Sequence, residues 1–314
     1  QRPAGVEGFL PISALMSAWY WLQTGDFNRI HPAGTIILLA IVAISLFFKK
    51  SFCSWFCPVG TISESIGELG RKLFKRNFVP WKWLDIPLRS VKYLLLAFLV
   101  YVVFGLMDAA SLRAFLDSPY NRVADAKMFL FFKEISQSAI IVLAALVALS
   151  LIIRNFWCRY LCPYGALLGI TGVLSPFRIT RNAESCIDCA KCAKACPAAI
   201  AVDRLNRVMS DECTSCLACV DACPVKDTLQ FKAAKRSRFE VTPLRLALAI
   251  VTLFTGITGA AMLAGAWSST ITEAEYARRI RDIRNPVYQH NQGSAPAEDP
   301  EREGEAASVS RGEE

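Results

Sequence analysis

Between Cys186 and Pro224 the chain places eight of its twelve cysteines. The stretch reads Cys186-Ile-Asp-Cys189-Ala-Lys-Cys192-Ala-Lys-Ala-Cys196-Pro197, and then Cys213-Thr-Ser-Cys216-Leu-Ala-Cys219-Val-Asp-Ala-Cys223-Pro224. Each half is a C-x2-C-x2-C-x3-C-P run, the spacing that holds [4Fe–4S] clusters. Three thiolates in a tight loop wrap three corners of a cubane, and the fourth, three residues on, ligates the other cluster. This rule assigns Cys186, Cys189, Cys192 and Cys223 to one cluster, and Cys213, Cys216, Cys219 and Cys196 to a second. Pro197 and Pro224 end the local turns and let the chain cross over. Disulfide scaffolds of this density belong to small secreted domains, and zinc pairs leave a longer gap after C-x2-C. The doubled run argues against both.

Outside this stretch the chain is too apolar for an ordinary soluble protein. Of its 314 residues 54% are hydrophobic, so membrane spans are expected. The net charge is +8, and the basic residues sit beside apolar segments, which fits a membrane surface rather than nucleic acid. Two histidines, His31 and His290, leave little room for internally ligated haem.

Gly8 to Leu22 is short, apolar and carries Trp19, Tyr20 and Trp21 together, which reads as an interfacial or re-entrant helix. Four spans follow, at about Ala33–Phe56, Val91–Leu106, Ile135–Trp157 and Leu244–Trp267. Lys49 and Lys50 interrupt the first and are expected to snorkel. Gly256, Gly259 and Gly265 in the last are expected to permit close helix packing. After the first span, Ile62, Ile66, Leu69 and Leu73 recur at helical spacing in a basic connector holding Arg71, Lys72, Lys75, Arg76 and Lys82, which predicts a helix on the membrane surface. The cysteine-rich insert is closed by Lys232, Lys235, Arg236 and Arg238. Thr272–Arg284 predicts a short charged helix, and the last twenty residues read as disordered. The connectors after spans one and three are basic and the loop after span two is not, so the positive-inside rule places the insert in the cytoplasm and the tail outside.

The remaining four cysteines form an internal repeat. Cys53-Ser-Trp-Phe-Cys57-Pro58 follows span one, and Cys158-Arg-Tyr-Leu-Cys162-Pro163 follows span three. Cysteines at i and i+4 share a helix face, and proline then ends or kinks the helix. Two such faces at one membrane surface can present four thiolates to one metal centre, whose softness suits iron–sulfur, Cu(I) or zinc. Reduced structural cysteines and a dithiol pair are the plainer readings. A third [4Fe–4S] cluster is preferred, with Cys53, Cys57, Cys158 and Cys162 as its candidate ligands.

Two membrane C-x3-C-P motifs followed by a two-cluster insert resemble the membrane-bound polyferredoxins. These include the NapH type of periplasmic nitrate reduction, the membrane half of the NosR-type regulators, the methylamine-utilisation ferredoxin and the CcoG-type accessory protein. Gly8-Phe-Leu-Pro-Ile-Ser13, His31-Pro-Ala-Gly34 and Lys50-Ser-Phe-Cys-Ser-Trp55 look most like the nitrate and nitrous-oxide branches. The resemblance covers roughly Gly8 to Phe239. It implies electron transfer between the quinone pool or a cytoplasmic donor and extracytoplasmic reductases, or help in assembling metal centres. The chain departs from the regulators in lacking a flavin-binding domain, and from the accessory protein in having a further span and a short tail after the insert.

Other polar candidates have plainer explanations. His31, beside Pro32, could meet a quinone or a partner's haem, but a helix-start hydrogen bond is the simpler role. His290 reads as solvated. Asp108, Asp117, Asp125, Lys133 and Glu134 fall in or beside the loop after span two, where solvated carboxylates are commoner than proton relays. Tyr93 and Tyr101 read as core or lipid-facing.

The expected architecture is a mainly α, polytopic membrane protein with an inserted α+β two-[4Fe–4S] ferredoxin-like domain. Its parts are an N-terminal segment (1–32), a membrane domain (33–177), the insert (178–240), a last span (241–268) and a tail (269–314). The expected function is an electron-transfer subunit in the cytoplasmic (inner) membrane. Its partners are lipid, a cytoplasmic donor and an extracytoplasmic cytochrome or reductase, with quinone as a further cofactor and no nucleic acid. The rival readings are a quinol dehydrogenase, a copper-handling assembly factor and a passive anchor.

Overall fold

The structure, a computed structural model, describes residues 3–75, 78, 80–233 and 240–289, with Lys82 described in its backbone only. His290, the last twenty residues, and Arg76, Lys235, Arg236 and Arg238 lie outside the described residues. The first half holds α1 (Pro11–Thr24), α2 (Pro32–Phe48), the short α3 (Phe52–Trp55), α4 (Pro58–Phe74) and α5 (Lys82–Val100). There follow α6 (Ala109–Leu116), α7 (Pro119–Arg122), α8 (Ala124–Lys133), α9 (Gln137–Ile152) and α10 (Pro163–Val173). The insert contributes β1 (Arg178–Arg181), α11 (Lys191–Ala195), α12 (Ala218–Asp221) and β2 (Leu229–Lys232), and the chain continues through α13 (Pro243–Leu263) and α14 (Glu273–Arg281).

Among the described residues, three helical stretches are long and apolar enough to cross a membrane: Pro32–Trp55, Trp83–Leu106 and Pro243–Leu263. A fourth exists only if the interrupted pair α8 and α9 counts as one span. The third expected span therefore differs from the reading of its hydropathy. Glu134 closes α8, and α9 restarts at Gln137 with 16 residues, short of the roughly 20 that a bilayer core needs. The second starts earlier than expected, because Pro87 is tolerated within α5.

The chain divides into two compact bodies. The larger comprises Leu39–Val100 and Gln137–Ile257, and it is built on the sequence repeat. In each copy an apolar helix breaks, a cysteine pair follows, and a proline starts the next helix: Pro58 opens α4 and Pro163 opens α10. Proline fits that first position because the missing N–H would be unpaired there and its φ is already helical. The two copies pack reciprocally. The small-residue face of α4 lies on α9, so close that a Cβ on Gly70 would stand 1.9 Å from the Leu151 carbonyl oxygen. In return α10 lies on the break after α2, where a Cβ on Gly172 would stand 3.3 Å from the backbone of Lys49 and Lys50. Ser45 Oγ fastens this contact by donating to the Leu168 carbonyl at 2.6 Å.

The expected surface helix is α4, and its packed face is glycine and serine rather than the apolar stripe. Ser63, Gly67 and Gly70 are buried while Ile62, Leu69 and Leu73 are exposed. Among the described residues, the glycines expected to permit close packing in the last span have no neighbouring element against them. Gly256 and Gly259 meet no described atom within 4 Å of an added Cβ.

In the insert, β1 and β2 pair antiparallel, Ile179 opposite Phe231. Ile179, Val202, Val208, Leu217, Leu229 and Phe231 are buried there. About 25 cal/mol per Å² of apolar surface removed from water holds so small a unit together.

The second body comprises the residues up to Leu38, Tyr101–Ser136, and Thr258 onward. Its core joins α1 to α6 through Met16, Tyr20, Leu112 and Leu116, with Val103 beside them. The region read as a loop after span two is helical. Asp108 caps α6 by accepting the Ser111 N–H at 2.9 Å, the geometry that satisfies an orphan helix donor.

Candidate metal centres

Eight cysteines of the insert separate into two cavities. One is lined by Cys186, Cys189, Cys192 and Cys223. The other is lined by Cys196, Cys213, Cys216 and Cys219. Each cavity thus takes three cysteines from one run and the last cysteine of the other. Among the described residues no three His, Cys, Asp or Glu side chains converge closely enough for a single metal ion. Thiols standing around a space rather than a point suit a multi-iron cluster better than zinc.

Both loops are shaped the same way. Asp188 and Ala190 in the first run, and Ser215 and Leu217 in the second, sit at positive φ at equivalent positions. Such conformations are disfavoured for these residues, and they turn the backbone around the cavity. Some N–H groups face sulfur: the Ile200 N–H donates to Cys196 Sγ at 3.5 Å. Burial pushes the Cys216 thiol up to about 11 and raises those of Cys192, Cys196 and Cys219. A bound cluster must therefore displace protons from these groups.

Cys53, Cys57, Cys158 and Cys162 also come together. Cys53 interacts electrostatically with the other three and with Lys50. They do not lie on a continuous helix face, as the i, i+4 spacing predicts. Cys53 is in α3 and Cys158 in a π-helical turn, while Cys57 and Cys162 are the extended N-caps of α4 and α10. In both copies the second cysteine's N–H reaches back five residues, Cys57 to the Phe52 carbonyl and Cys162 to that of Trp157, each at 3.0 Å. This wide turn brings the chain back tightly, and a Cβ on Gly60 would stand 2.1 Å from the Cys53 carbonyl oxygen. The donor set and the close approach fit a cluster here too. Burial pushes the Cys158 thiol up to about 11.

Residues inside the C-x3-C motifs hold the insert, a role the sequence reading missed. Ser54 Oγ donates to the Thr214 carbonyl at 2.8 Å and Trp55 Nε1 to that of Ser215 at 3.2 Å. Arg159 donates to the Ala198 carbonyl at 2.8 Å and pairs with buried Asp85 at 2.9 and 3.0 Å. Tyr160 adds a hydrogen bond to Asp85 at 2.6 Å. Tyr93 binds Asp211, so it is an anchor for the insert rather than a lipid-facing ring. Lys49 and Lys50 do not snorkel: they are 1% and 3% exposed and turn inward. A lysine pair inside an apolar span was the available signal.

The remaining candidates are structural partners. His31 is buried, with Nε2 donating to the Asn121 carbonyl at 2.5 Å and Nδ1 3.4 Å from Glu7. Asp117 accepts from Asn28, Asp125 from Tyr276, and Glu134 pairs with Arg284. Lys133 ends α8 exposed, and Tyr101 is exposed.

Comparison with known families agrees with this geometry. The description "4Fe-4S binding domain" matches residues 30–77 and again 135–182, the two copies of the repeat. A "4Fe-4S dicluster domain" matches residues 180–231. YccM of Escherichia coli (strain K12), named for electron transport, is 50% identical over 283 residues, 89% of this chain and 79% of its own length. The methylamine utilization ferredoxin-type protein MauN of Methylorubrum extorquens is 29% identical, over 70% of this chain and 74% of its own. The ferredoxin-type protein NapH of E. coli is 28% identical, over 45% and 46%. No solved structure matches. Duplicated C-x3-C-P motifs, a dicluster insert, apolar helices and half-identity to YccM make the chain a member of the membrane-bound polyferredoxins, a family of ferredoxin-type electron-transport proteins.

Proposed function

We propose that the chain is an iron–sulfur electron-transfer subunit of the inner membrane, passing electrons between the quinone pool or a cytoplasmic donor and a partner redox complex. In this reading Cys186, Cys189, Cys192 and Cys223 hold one [4Fe–4S] cluster, Cys196, Cys213, Cys216 and Cys219 a second, and Cys53, Cys57, Cys158 and Cys162 a third. The observation that carries it is the crossing of the two runs, three cysteines and one in each of two cavities.

Such clusters supply one-electron chemistry whose potential depends on net charge, hydrogen bonds to sulfur and solvent exposure. The protein's part is to provide thiolates and set that environment. Ile179, Val202, Val208 and Leu217 exclude water from the second cavity. The N–H groups of Ile200 and Gly165 hydrogen-bond the sulfurs of Cys196 and Cys162. Basic Arg71 and Lys72 end the α4 helix that follows the first cysteine pair, which supports a cytoplasmic position for the insert by the positive-inside rule.

Anaerobic purification with iron and sulfide analysis tests the reading. Roughly twelve irons per chain are expected, four for each cluster. Cys53→Ser or Cys158→Ser lowers the count to roughly eight, which an unchanged count would contradict. Colourless, sulfide-free protein would overturn the whole reading. Reduction of the isolated chain by a quinol analogue would mark it as a quinol dehydrogenase in its own right.

A further inference from the structure

Lys49 and Lys50 stand consecutively at the break between α2 and α3, and both are buried. Lys49 sits at φ 59, a left-handed turn unusual for a residue with a side chain, and the two ammonium groups find different partners. Lys49 Nζ donates to the carbonyls of Val208 and Ser210 at 3.3 and 3.0 Å, and it interacts electrostatically with Cys213 of the second cavity. Lys50 Nζ interacts with Cys53, Cys158 and Cys162 of the C-x3-C group, and stands 3.8 Å from Glu212. Gly165 makes room for it: a Cβ there would stand 3.4 Å from Lys50 Nζ.

Among the described residues, the groups facing this pair carry more positive than negative charge. Glu212 is shared between Lys50 and Lys92, all three buried. Lys49 binds carbonyls, with Asp211 nearby but Arg178 and Arg207 also close, and Asp211 accepts from Tyr93. Against the two carboxylates stand three buried lysines and buried Arg178, with half-buried Arg207 beside them. Burying excess cationic charge is costly without anionic partners. Four thiolates outweigh the positive charge of an iron–sulfur core, so a centre on either side of the pair supplies the missing negative charge.

We propose that Lys49 and Lys50 form a cationic wedge between the second ferredoxin centre and the C-x3-C centre, each raising the reduction potential of the centre it faces. This rests on the three-centre reading above. Reduction adds an electron, and a fixed neighbouring cation favours the more negative state. Lys49 faces Cys213 and Lys50 faces Cys53, Cys158 and Cys162, so the wedge acts on these two centres.

The test is a redox titration of the full-length protein followed by electron paramagnetic resonance, with iron content measured on each sample. Lys50→Met lowers the midpoint potential of the C-x3-C centre by the equivalent of tenfold in its reduction equilibrium, about 59 mV for a one-electron couple. Lys49→Met does the same to the second ferredoxin centre. The Cys186 centre stays fixed in both and serves as internal reference, and Lys50→Arg and Lys49→Arg restore the potentials. Should Lys49→Met fail to accumulate, Lys49→Gln removes the charge while keeping a donor for Val208 and Ser210. Three centres with unshifted potentials, or equal shifts in all three, overturn the wedge and leave the three-centre reading intact. An unsubstituted protein with only two clusters overturns both.

Discussion

Trp55 donates its indole N–H to the carbonyl of Ser215 at 3.2 Å, joining the middle of one cysteine motif to the middle of another. Trp55 lies between Cys53 and Cys57, and Ser215 between Cys213 and Cys216. Together with the Ser54 bond to Thr214 and the Arg159 bond to Ala198, it fastens both C-x3-C turns to the two segments that line the second cavity. The spacer residues of these motifs are therefore the insert's attachment points as well as the filling between cysteines.

Replacing Trp55 with Phe keeps the aromatic body and removes one donor. A buried carbonyl left without its partner costs about 1–3 kcal/mol. Trp55→Phe is expected to lower the unfolding temperature and quicken proteolysis within the insert, while iron content holds. Thermal unfolding and limited proteolysis of the detergent-solubilised protein measure both. Unchanged proteolysis would show that the indole bond does not secure the insert.

The reciprocal packing of the two repeats makes glycines unequal. Alanine usually stabilises a helix by about 1 kcal/mol over glycine. Gly256→Ala and Gly259→Ala, which meet no described atom within 4 Å, should follow that rule. Gly70→Ala should do the opposite, because its methyl would stand 1.9 Å from the Leu151 carbonyl oxygen, and backbone cannot rotate away as a side chain can. A cost of about 3 kcal/mol or more is expected. Membrane accumulation of the three variants, with unfolding temperatures, checks the sign in each case.

The cysteine spacing made the insert legible, because ligation rules are local and discrete: the assignment of Cys196 and Cys223 to opposite groups needed only the sequence. Apolar length likewise placed α2, α5 and α13. Other features depended on tertiary partners that one sequence does not display. Lys49 and Lys50 suggested snorkelling until the carbonyls of Val208 and Ser210 and the carboxylate of Glu212 came within reach. The Cys53 and Cys57 spacing suggested one helix face, but Pro58 could end a helix or begin one, and here it begins α4. Hydropathy ran smoothly through 135–157 although α9 spans only Gln137–Ile152, since apolar composition reports burial in lipid or protein without separating a span from shorter pieces.

Buried thiols also give the cluster-free protein a pH dependence opposite to that of a carboxylate-stabilised one. Burial holds Cys158 and Cys216 at about 11, against 9.0 for an unperturbed thiol. Above pH 9 the unfolded chain loses these protons while the folded chain keeps them, so the unfolded state binds fewer protons and stability falls as pH rises. The loss per thiol is about 1.4 kcal/mol for each pH unit between 9 and 11, and it levels off beyond the folded value. Protein stripped of iron by a chelator is expected to lose unfolding temperature steeply across that window. Cys158→Ser and Cys216→Ser should each flatten the slope. Cluster-loaded protein, whose thiols are already deprotonated on iron, should show no such slope. Unfolding curves collected at successive pH values on stripped and loaded samples decide it, and identical slopes in the two would refute the linkage.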